Sequence, residues 1–274
     1  MTTRRLRPLP IRVRAFDGET VTSYARRLAA RNGLTVSDID RWLHGRELLT
    51  SASARHPDRL EAYRQLGGLH ASAFTTPAQL DGNLIGERRL CPGCSHGQVA
   101  WARLPRVGMI CPKHHRWLGD SFADVTGWRA QESMERYFRR HLASRSVFVD
   151  SYAMRAGLEY AYLTVDEDLP SRFWTDWDVR LYDRQVRYAA ILSDRTFLDV
   201  IADPRADQER CRAVIAKAAA LPAPPSDPIW PVENRMITLS LRLRQQVAEA
   251  LRCGMPVIDS EYNLLRLSSF SSRS

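Results

Sequence analysis

Two short motifs place cysteine and histidine side chains at a spacing that metal sites use. Cys91 and Cys94 form a Cys-x-x-Cys pair, and after sixteen further residues Cys111 and His114 form a Cys-x-x-His pair. Each tight turn points two side chains at one ion, and structural Zn²⁺ takes four nitrogen or sulfur ligands in a tetrahedron. We therefore predict that these four residues hold one structural Zn²⁺.

The fourth ligand and the role of the metal both have alternatives. His115 and His96 compete with His114 for the fourth position, and His114 is preferred because it keeps the two-residue spacing. A redox pair of the thioredoxin type would need a surrounding βαβ pattern, which this sequence lacks. A catalytic zinc would keep one position open for water. Because four protein ligands close the shell, we predict a structural metal in a chain that is not an enzyme.

The balance of charge favours a polyanionic partner such as DNA, since the formal net charge is +9 and the pI is near 9.7. The sequence shows no secretory signal and no apolar run of about 18 residues, which predicts a cytoplasmic protein without a membrane partner. The first fourteen residues contain two prolines and no acid, and are expected to form an extended, flexible arm. The same charges could instead solubilise the surface or meet acidic residues of a protein partner. The candidate DNA contacts are Arg4, Arg5, Arg7, Arg12 and Arg14 in this arm, Arg41 in a predicted helix, and Arg103, Arg106, Lys113 and Arg116 around the cysteine motifs.

Apolar periodicity and capping residues predict three short helices before the cysteine motifs. The apolar residues of the first recur every three or four places between Thr20, its N-cap, and a stop at Asn32-Gly33. Thr35 caps a second helix over 36–44, and a third is predicted over 57–66. Two short helices joined by a glycine-containing turn fit either a helix-turn-helix or any αα-hairpin.

The chain beyond the cysteine motifs is also predicted to be helical, so the expected fold class is mainly α with a small zinc ribbon between helical parts. Helices are predicted over 130–144, 178–200, 211–221 and 234–252, with a proline-rich segment at 222–231 and a frayed tail. Glu132 and Glu135 are expected on a solvated helix face, and Phe173, Trp174, Trp177 and Tyr182 in the core or facing a partner. The predicted domains are a basic arm with a helix-turn-helix-like part at 1–84, a zinc ribbon at 85–120, a helical domain at 121–221, and a linker, helix and tail at 222–274.

The arrangement of these motifs resembles the TniQ family, which includes the TnsD-type target selectors of transposons. The family pattern combines a Gly-Glu-Ser/Thr start to a helix, an Asn-Gly-Leu turn, and a zinc ribbon with Cys-Pro-x-Cys and Cys-Pro-x-His knuckles. The resemblance covers about residues 8–120 and is carried by Pro10, Gly18-Glu19-Thr20, Leu28-Ala29, Asn32-Gly33-Leu34, Leu66-Gly67-Gly68-Leu69, Cys91-Pro92-Gly93-Cys94, Trp101, Leu104-Pro105, Cys111-Pro112-Lys113-His114 and Leu118.

This resemblance implies a non-catalytic adaptor of DNA transposition. Such proteins read a target, by binding DNA or by riding on an RNA-guided effector complex, and recruit an AAA+ ATPase regulator that licenses the transposase. Many members have a second cysteine knuckle after Cys-Pro-x-His, but residues 116–127 here contain no cysteine, so one zinc is expected. The alternative is a stand-alone zinc-containing regulator whose 36–44 helix reads the major groove. The carboxylate of Asp38 near the start of that helix opposes phosphate contact.

Overall fold

The computed structural model is mainly helical, with one small antiparallel sheet. The chain forms two compact units, of which the first comprises Met1–Leu104 and Cys111–Phe122 and the second Pro105–Ile110 and Ala123–Ser274. Within the described residues, no helix has the length and apolar character needed to cross a membrane. The structure describes residues 6–51, 53, 56–74, 85–119, 122–145, 147–163, 174–194, 200, 203, 205–207, 209–210 and 213–214.

The described part of the first unit contains the three predicted helices followed by the sheet. These helices lie within a residue or two of their predicted positions, so the prediction of three N-terminal helices is confirmed. The elements are α1 (Val21–Arg31), α2 (Val36–His44), α3 (Pro57–Gly67), β1 (Arg88–Arg89) and β2 (Trp101–Ala102).

Local hydrogen bonds explain where α1 and α2 begin. The Thr20 hydroxyl accepts a hydrogen bond from the Ser23 amide at 3.3 Å, which satisfies one of the free amides of the first turn of α1. At α2, the Thr35 hydroxyl accepts from the Asp38 amide, and the Asp38 carboxylate accepts from the Thr35 amide. The Thr35 hydroxyl also donates to the Asp38 carboxylate at 2.6 Å, and this bond together with the bond from the Thr35 amide lowers the pKa of Asp38 and favours its charged form.

A polar contact in the helical core joins α2 to α3. Asp40 of α2 accepts hydrogen bonds from Arg59 at 2.7 Å and from the Tyr63 hydroxyl at 2.7 Å. Arg59 and Tyr63 are both buried. Burial and the hydrogen bond to Asp40 raise the pKa of Tyr63, so its hydroxyl remains a donor. These two bonds therefore join α2 to α3 beside the apolar core that the three helices share.

The N-terminal segment is extended, as predicted, but it is anchored rather than flexible over the described residues from Leu6 onward. The Leu9 amide donates to the Leu66 carbonyl at 2.8 Å, and Ile11 exchanges two hydrogen bonds with the Asn32 side chain. Leu6, Leu9 and Val13 also pack against the core of the three helices. The prolines leave this segment extended, and its apolar residues, which alternate with the arginines, attach it to α1 and α3.

The described part of the second unit is a group of helices. Its elements are α4 (Arg129–Tyr137), which continues as a π-helical turn (Phe138–Leu142) and a 3-10 turn (Ala143–Arg145), then α5 (Tyr152–Leu163) and α6 (Trp174–Leu192). The most extensive contact joins α5 to α6, and no helix was predicted over α5 from the sequence. The two helices pack closely at Gly157, which has no side chain. A Cβ there would lie 2.5 Å from the Gln185 carbonyl oxygen, so only glycine permits this approach.

Two helix predictions in this unit are confirmed with altered ends. The helix predicted over 130–144 is present, but its hydrogen-bond pattern widens to a π-turn after Tyr137. The helix predicted over 178–200 begins earlier, at Trp174, and ends at Leu192. The predicted segments at 222–231 and 234–252, the tail, and all but two residues of 211–221 lie outside the described residues.

Candidate metal centre

The two knuckles bring the four predicted ligand residues into one cluster. The candidate ligand atoms of Cys91, Cys94, Cys111 and His114 all lie within 4.8 Å of one another. The Nδ1 atom of His114 lies 3.4–3.6 Å from each of the three sulfur atoms. This group can hold a metal ion.

The distances within the cluster fit a tetrahedral metal site. Taking Zn²⁺ as the reference, metal–sulfur bonds of about 2.3 Å and metal–nitrogen bonds of about 2.0–2.1 Å separate two sulfurs by about 3.8 Å and sulfur from nitrogen by about 3.6 Å. The Cys94 and Cys111 sulfurs are 3.6 Å apart. A disulfide would need about 2.05 Å, and all three cysteines are free thiols. The cluster therefore has the size of a coordination shell.

Backbone hydrogen bonds shape the first knuckle. The Cys91 carbonyl accepts from the Ser95 amide at 3.0 Å, and the Pro92 carbonyl accepts from the Gly97 amide at 2.8 Å. At Gly93 a Cβ would lie 2.7 Å from the His114 ring, so the absence of a side chain gives the imidazole its place. The glycine of the Cys-Pro-Gly-Cys motif thus leaves space for the histidine ring of the other knuckle.

The second knuckle selects between the two adjacent histidines. The Cys111 amide donates to the Arg116 carbonyl at 2.8 Å, and the His115 amide donates to the Cys111 carbonyl at 3.0 Å. His115 adopts a left-handed backbone conformation with φ of 49°, which closes this turn. Among the described residues, the cluster includes His114 and neither His115 nor His96. The preferred fourth ligand is thus the one that the fold brings to the three sulfurs.

The electrostatics of the cluster favour occupation by a cation. In its absence, burial raises the pKa of the Cys94 thiol to about 12, and the neighbouring Cys111 and Cys91 sulfurs add to this effect. Three thiolates cannot accumulate so close together without a compensating charge. A divalent cation reverses the effect because it stabilises every thiolate that it binds, so metal binding would release protons.

A small hairpin carries the first knuckle in its loop. β1 and β2 pair antiparallel with Arg89 opposite Trp101, and the Leu90 amide extends the ladder to the Ala100 carbonyl at 2.8 Å. Leu90, Ala100 and Ala102 form a small buried core beneath it. The hairpin therefore fixes both ends of the loop that contains Cys91 and Cys94.

The segment before α1 adds to the outer edge of this hairpin. The Thr20 amide donates to the Trp101 carbonyl, and the Arg103 amide donates to the Gly18 carbonyl, each at 2.9 Å. Gly18 has φ of +69°, and a Cβ there would lie 2.7 Å from the Arg103 carbonyl oxygen. The N-terminus of α1 and the hairpin of the cysteine cluster are therefore joined by backbone hydrogen bonds.

A buried ion pair that the sequence pattern did not indicate lies at this junction. The Glu19 side chain is fully buried, and its two oxygens accept from the Arg27 guanidinium at 2.6 and 2.8 Å. Glu19 also accepts from the Phe16 amide and from the Ser23 hydroxyl, which in turn accepts from the Trp101 amide at 2.9 Å. The one signal that could have found it was the acidic residue immediately before the N-cap of α1, with an arginine two turns later.

The predicted DNA contacts of the N-terminal arm are accessible where they are described. Arg7, Arg12 and Arg14 are exposed on the anchored segment. Arg4 and Arg5 lie outside the described residues. The anchored segment therefore presents these arginines to solvent, while Leu6, Leu9 and Val13 pack against the helices.

The other predicted DNA contacts differ from one another in their surroundings. The Arg41 side chain is 79% exposed and lies 3.4 Å from Asp38, and Lys113 is exposed within the second knuckle. Arg103 pairs with Glu87 at 2.9 Å with its side chain only 16% exposed. Arg116 is half-buried and donates to the Phe122 carbonyl, and Arg106 is an exposed residue of the second unit.

The expectation that Glu135 lies on a solvated face is wrong. Its side chain is buried and accepts hydrogen bonds from the amides of Gly108 and Ile110 and from the Tyr182 hydroxyl at 2.7 Å. Tyr182 is fully buried, as expected for a core residue. Sequence periodicity could not assign Glu135, because its partners belong to a loop and to a distant helix.

No family model, curated protein or solved structure matches the chain. The chain is a mainly helical protein with a small hairpin and a cluster of three cysteines and one histidine that can hold a metal ion.

Proposed function

We propose that this chain is a non-catalytic adaptor of DNA transposition of the TniQ type. In this role it binds DNA, helps to select the target site, and recruits an AAA+ ATPase regulator that engages the transposase, directly or within an RNA-guided effector complex. The cysteine cluster is a structural zinc ribbon, and α1 and α2 form a helix-turn-helix-like part.

One observation carries this proposal: the residues behind the TniQ resemblance are joined to one another in space. Gly18 and Thr20 form backbone hydrogen bonds with β2 and the residue after it, and Glu19 pairs with Ala102 of β2, the strand that follows the first knuckle. The Gly-Glu-Thr motif and the cysteine motifs lie about 70 residues apart in sequence. The hairpin that carries the first cysteine motif in its loop also bonds to the Gly-Glu-Thr motif, which gives a physical reason for both motifs to occur in one family.

The ligand set supports Zn²⁺ as the metal. Three thiolates and one imidazole in a tetrahedron are characteristic of structural zinc, and four protein ligands leave no position for a catalytic water. The role proposed for the metal is therefore to stabilise the hairpin and the N-terminus of α1.

Exposed basic residues support contact with DNA. Arg7, Arg12 and Arg14 are exposed on the anchored segment. Trp101, whose exposed fraction is 39%, lies opposite the exposed Arg89 on the hairpin. Such a surface provides phosphate contacts, which position a protein on DNA without reading its sequence.

A stand-alone DNA-binding regulator is the second candidate, and the exposed side of α2 favours it. Trp42 is 43% exposed with Arg46 stacked on its ring at 4.7 Å, and Arg41 is exposed beside them. The charged carboxylate of Asp38 at the start of α2 weighs against groove reading, because recognition helices usually present their N-terminal residues to the bases.

Two measurements on the full-length chain distinguish the candidates. The first is co-purification with AAA+ ATPases encoded beside integrase-like transposases, with Cys91→Ser as a variant that loses the metal site. The second is a footprint on duplex DNA. The adaptor predicts retention of an ATPase and sequence-tolerant DNA binding. A defined footprint that Arg41→Ala abolishes, with no retained ATPase, would replace the adaptor by the regulator.

A further inference from the structure

The end of α4 carries a concentrated basic surface in the second unit. Among the residues that the structure describes, none forms an ion pair with Arg136, Arg139 or Arg140, and all three are exposed. The acidic residue in the same turn, Glu135, is buried and bonded to the Gly108 and Ile110 amides. We call the exposed basic residues of this stretch the π-turn patch: Arg136, Arg139, Arg140, His141 and Arg145.

The π-helical turn gives the patch its shape. The Ala143 amide bonds to the Phe138 carbonyl, five residues back, so the turn is wider than in an α-helix. Phe138 and Leu142 are fully buried, and the three residues between them are all exposed. The turn thus presents three consecutive basic side chains to solvent. Single π-turns within α-helices occur frequently at functional sites.

The helix end does not itself account for these charges. Basic side chains near a helix C-terminus complement its partial negative charge, but this effect is confined to the last turn. Here Arg145 donates to the His141 carbonyl at 2.9 Å, and the Ser144 hydroxyl donates to the Arg140 carbonyl at 3.0 Å. The terminal carbonyls therefore have their own partners, and the guanidinium groups of Arg136, Arg139 and Arg140 remain directed to solvent.

The composition of the patch selects its partner. Protein interfaces have an apolar centre rich in aromatic side chains, and none of the large apolar residues exposed in the described structure lies between 136 and 145. Guanidinium groups bind phosphate through paired hydrogen bonds. We propose that the π-turn patch is a binding site for the phosphate backbone of nucleic acid. This inference concerns the second unit and does not depend on the adaptor function.

A salt titration with two charge-matched variants tests the proposal. The patch variant is Arg136→Gln/Arg139→Gln/Arg140→Gln, and the control is Arg26→Gln/Arg31→Gln/Arg155→Gln, which removes three exposed arginines from α1 and α5. Each full-length protein is titrated with a labelled duplex of arbitrary sequence between about 50 and 200 mM salt. Circular dichroism checks that both variants keep their helices.

The patch variant should lose affinity and salt dependence together. Each phosphate contact contributes about 0.9 to the slope of log K against log salt, so three lost contacts lower it by about 2.7 and weaken binding about 10²-fold or more near 0.1 M salt. The control should keep a slope close to that of the unaltered chain. Equal losses in the two variants, or an unaltered chain that binds no duplex, would overturn the proposal.

Two further readouts distinguish phosphate binding from contact with an acidic protein and from the adaptor function. Binding of polyglutamate in place of the duplex, lost in the patch variant alone, would assign the patch to an acidic protein and overturn the proposal. Retention of the ATPase is measured in the same preparations. A chain that retains no ATPase but shows patch-dependent duplex binding would refute the adaptor function and support the patch.

Discussion

Replacing Glu19 by alanine should destabilise the first unit more than replacing an exposed acidic residue by alanine does. Glu19 and Arg27 have side chains that are 0% and 9% exposed and share two short hydrogen bonds. Removing one partner of a buried pair costs about 3–5 kcal/mol, because the other charge stays buried without compensation. Arg27 would keep hydrogen bonds to the Arg14 carbonyl and to Gln98, which places the expected loss near the lower end, at about 3 kcal/mol.

Urea unfolding with a matched surface variant measures this loss. Glu61→Ala is the control, since Glu61 also pairs with an arginine at 2.7 Å but is 48% exposed, and such pairs contribute about 0–1 kcal/mol. Both variants and the unaltered chain are unfolded at the same metal concentration. The free energy of unfolding of each is obtained from its urea midpoint and its m-value. A Glu19→Ala loss within about 1 kcal/mol of the Glu61→Ala loss would refute the role assigned to the buried pair.

Three other changes have expected outcomes. By elemental analysis the unaltered chain and His115→Ala should each contain one metal ion per chain, and Cys91→Ser should contain well under one. Loss of the metal in His115→Ala would contradict the ligand assignment. Gly18→Ala should lower the free energy of unfolding by about 1–3 kcal/mol more than Gly33→Ala, because both have φ of +69° but only at Gly18 would a Cβ meet a backbone oxygen; equal urea midpoints would refute this. Glu135→Gln should cost about 1–3 kcal/mol in the same assay, since an amide presents its NH₂ to backbone donors, and an unchanged midpoint would argue against those bonds.

The sequence predicted those features whose causes are local. Thr20 and Thr35 cap helices through bonds to residues three positions away, so the starts of α1 and α2 could be read directly. The metal cluster was equally predictable, because each knuckle is a four-residue turn and the ligand chemistry then brings the two turns together. His114 was preferred over His115 on the same local spacing.

The features that were missed depend on partners far away in the chain. The arm appeared flexible from its prolines and arginines, but Asn32 and Leu66 provide the hydrogen bonds that anchor it. Glu135 appeared to be a surface residue because a buried carboxylate cannot be recognised until its donors are known. The sequence did not predict α5, because Gly157 interrupts the helical pattern. The role of this glycine is to allow close contact with α6, which the sequence does not reveal.

The position of the Gly-Glu-Thr motif explains how one metal ion can organise more than its own ligands. A metal bound to Cys94 and Cys111 closes the loop that contains β2, and this restriction favours the folded hairpin. The hairpin then forms hydrogen bonds with the Thr20 amide and the Gly18 carbonyl. On the helix side, the Glu19 carboxylate accepts a hydrogen bond from Arg27, which lies two turns into α1. The start of α1 is thereby fixed from both sides. The free energy of metal binding would consequently stabilise the start of a helix that contributes no ligand.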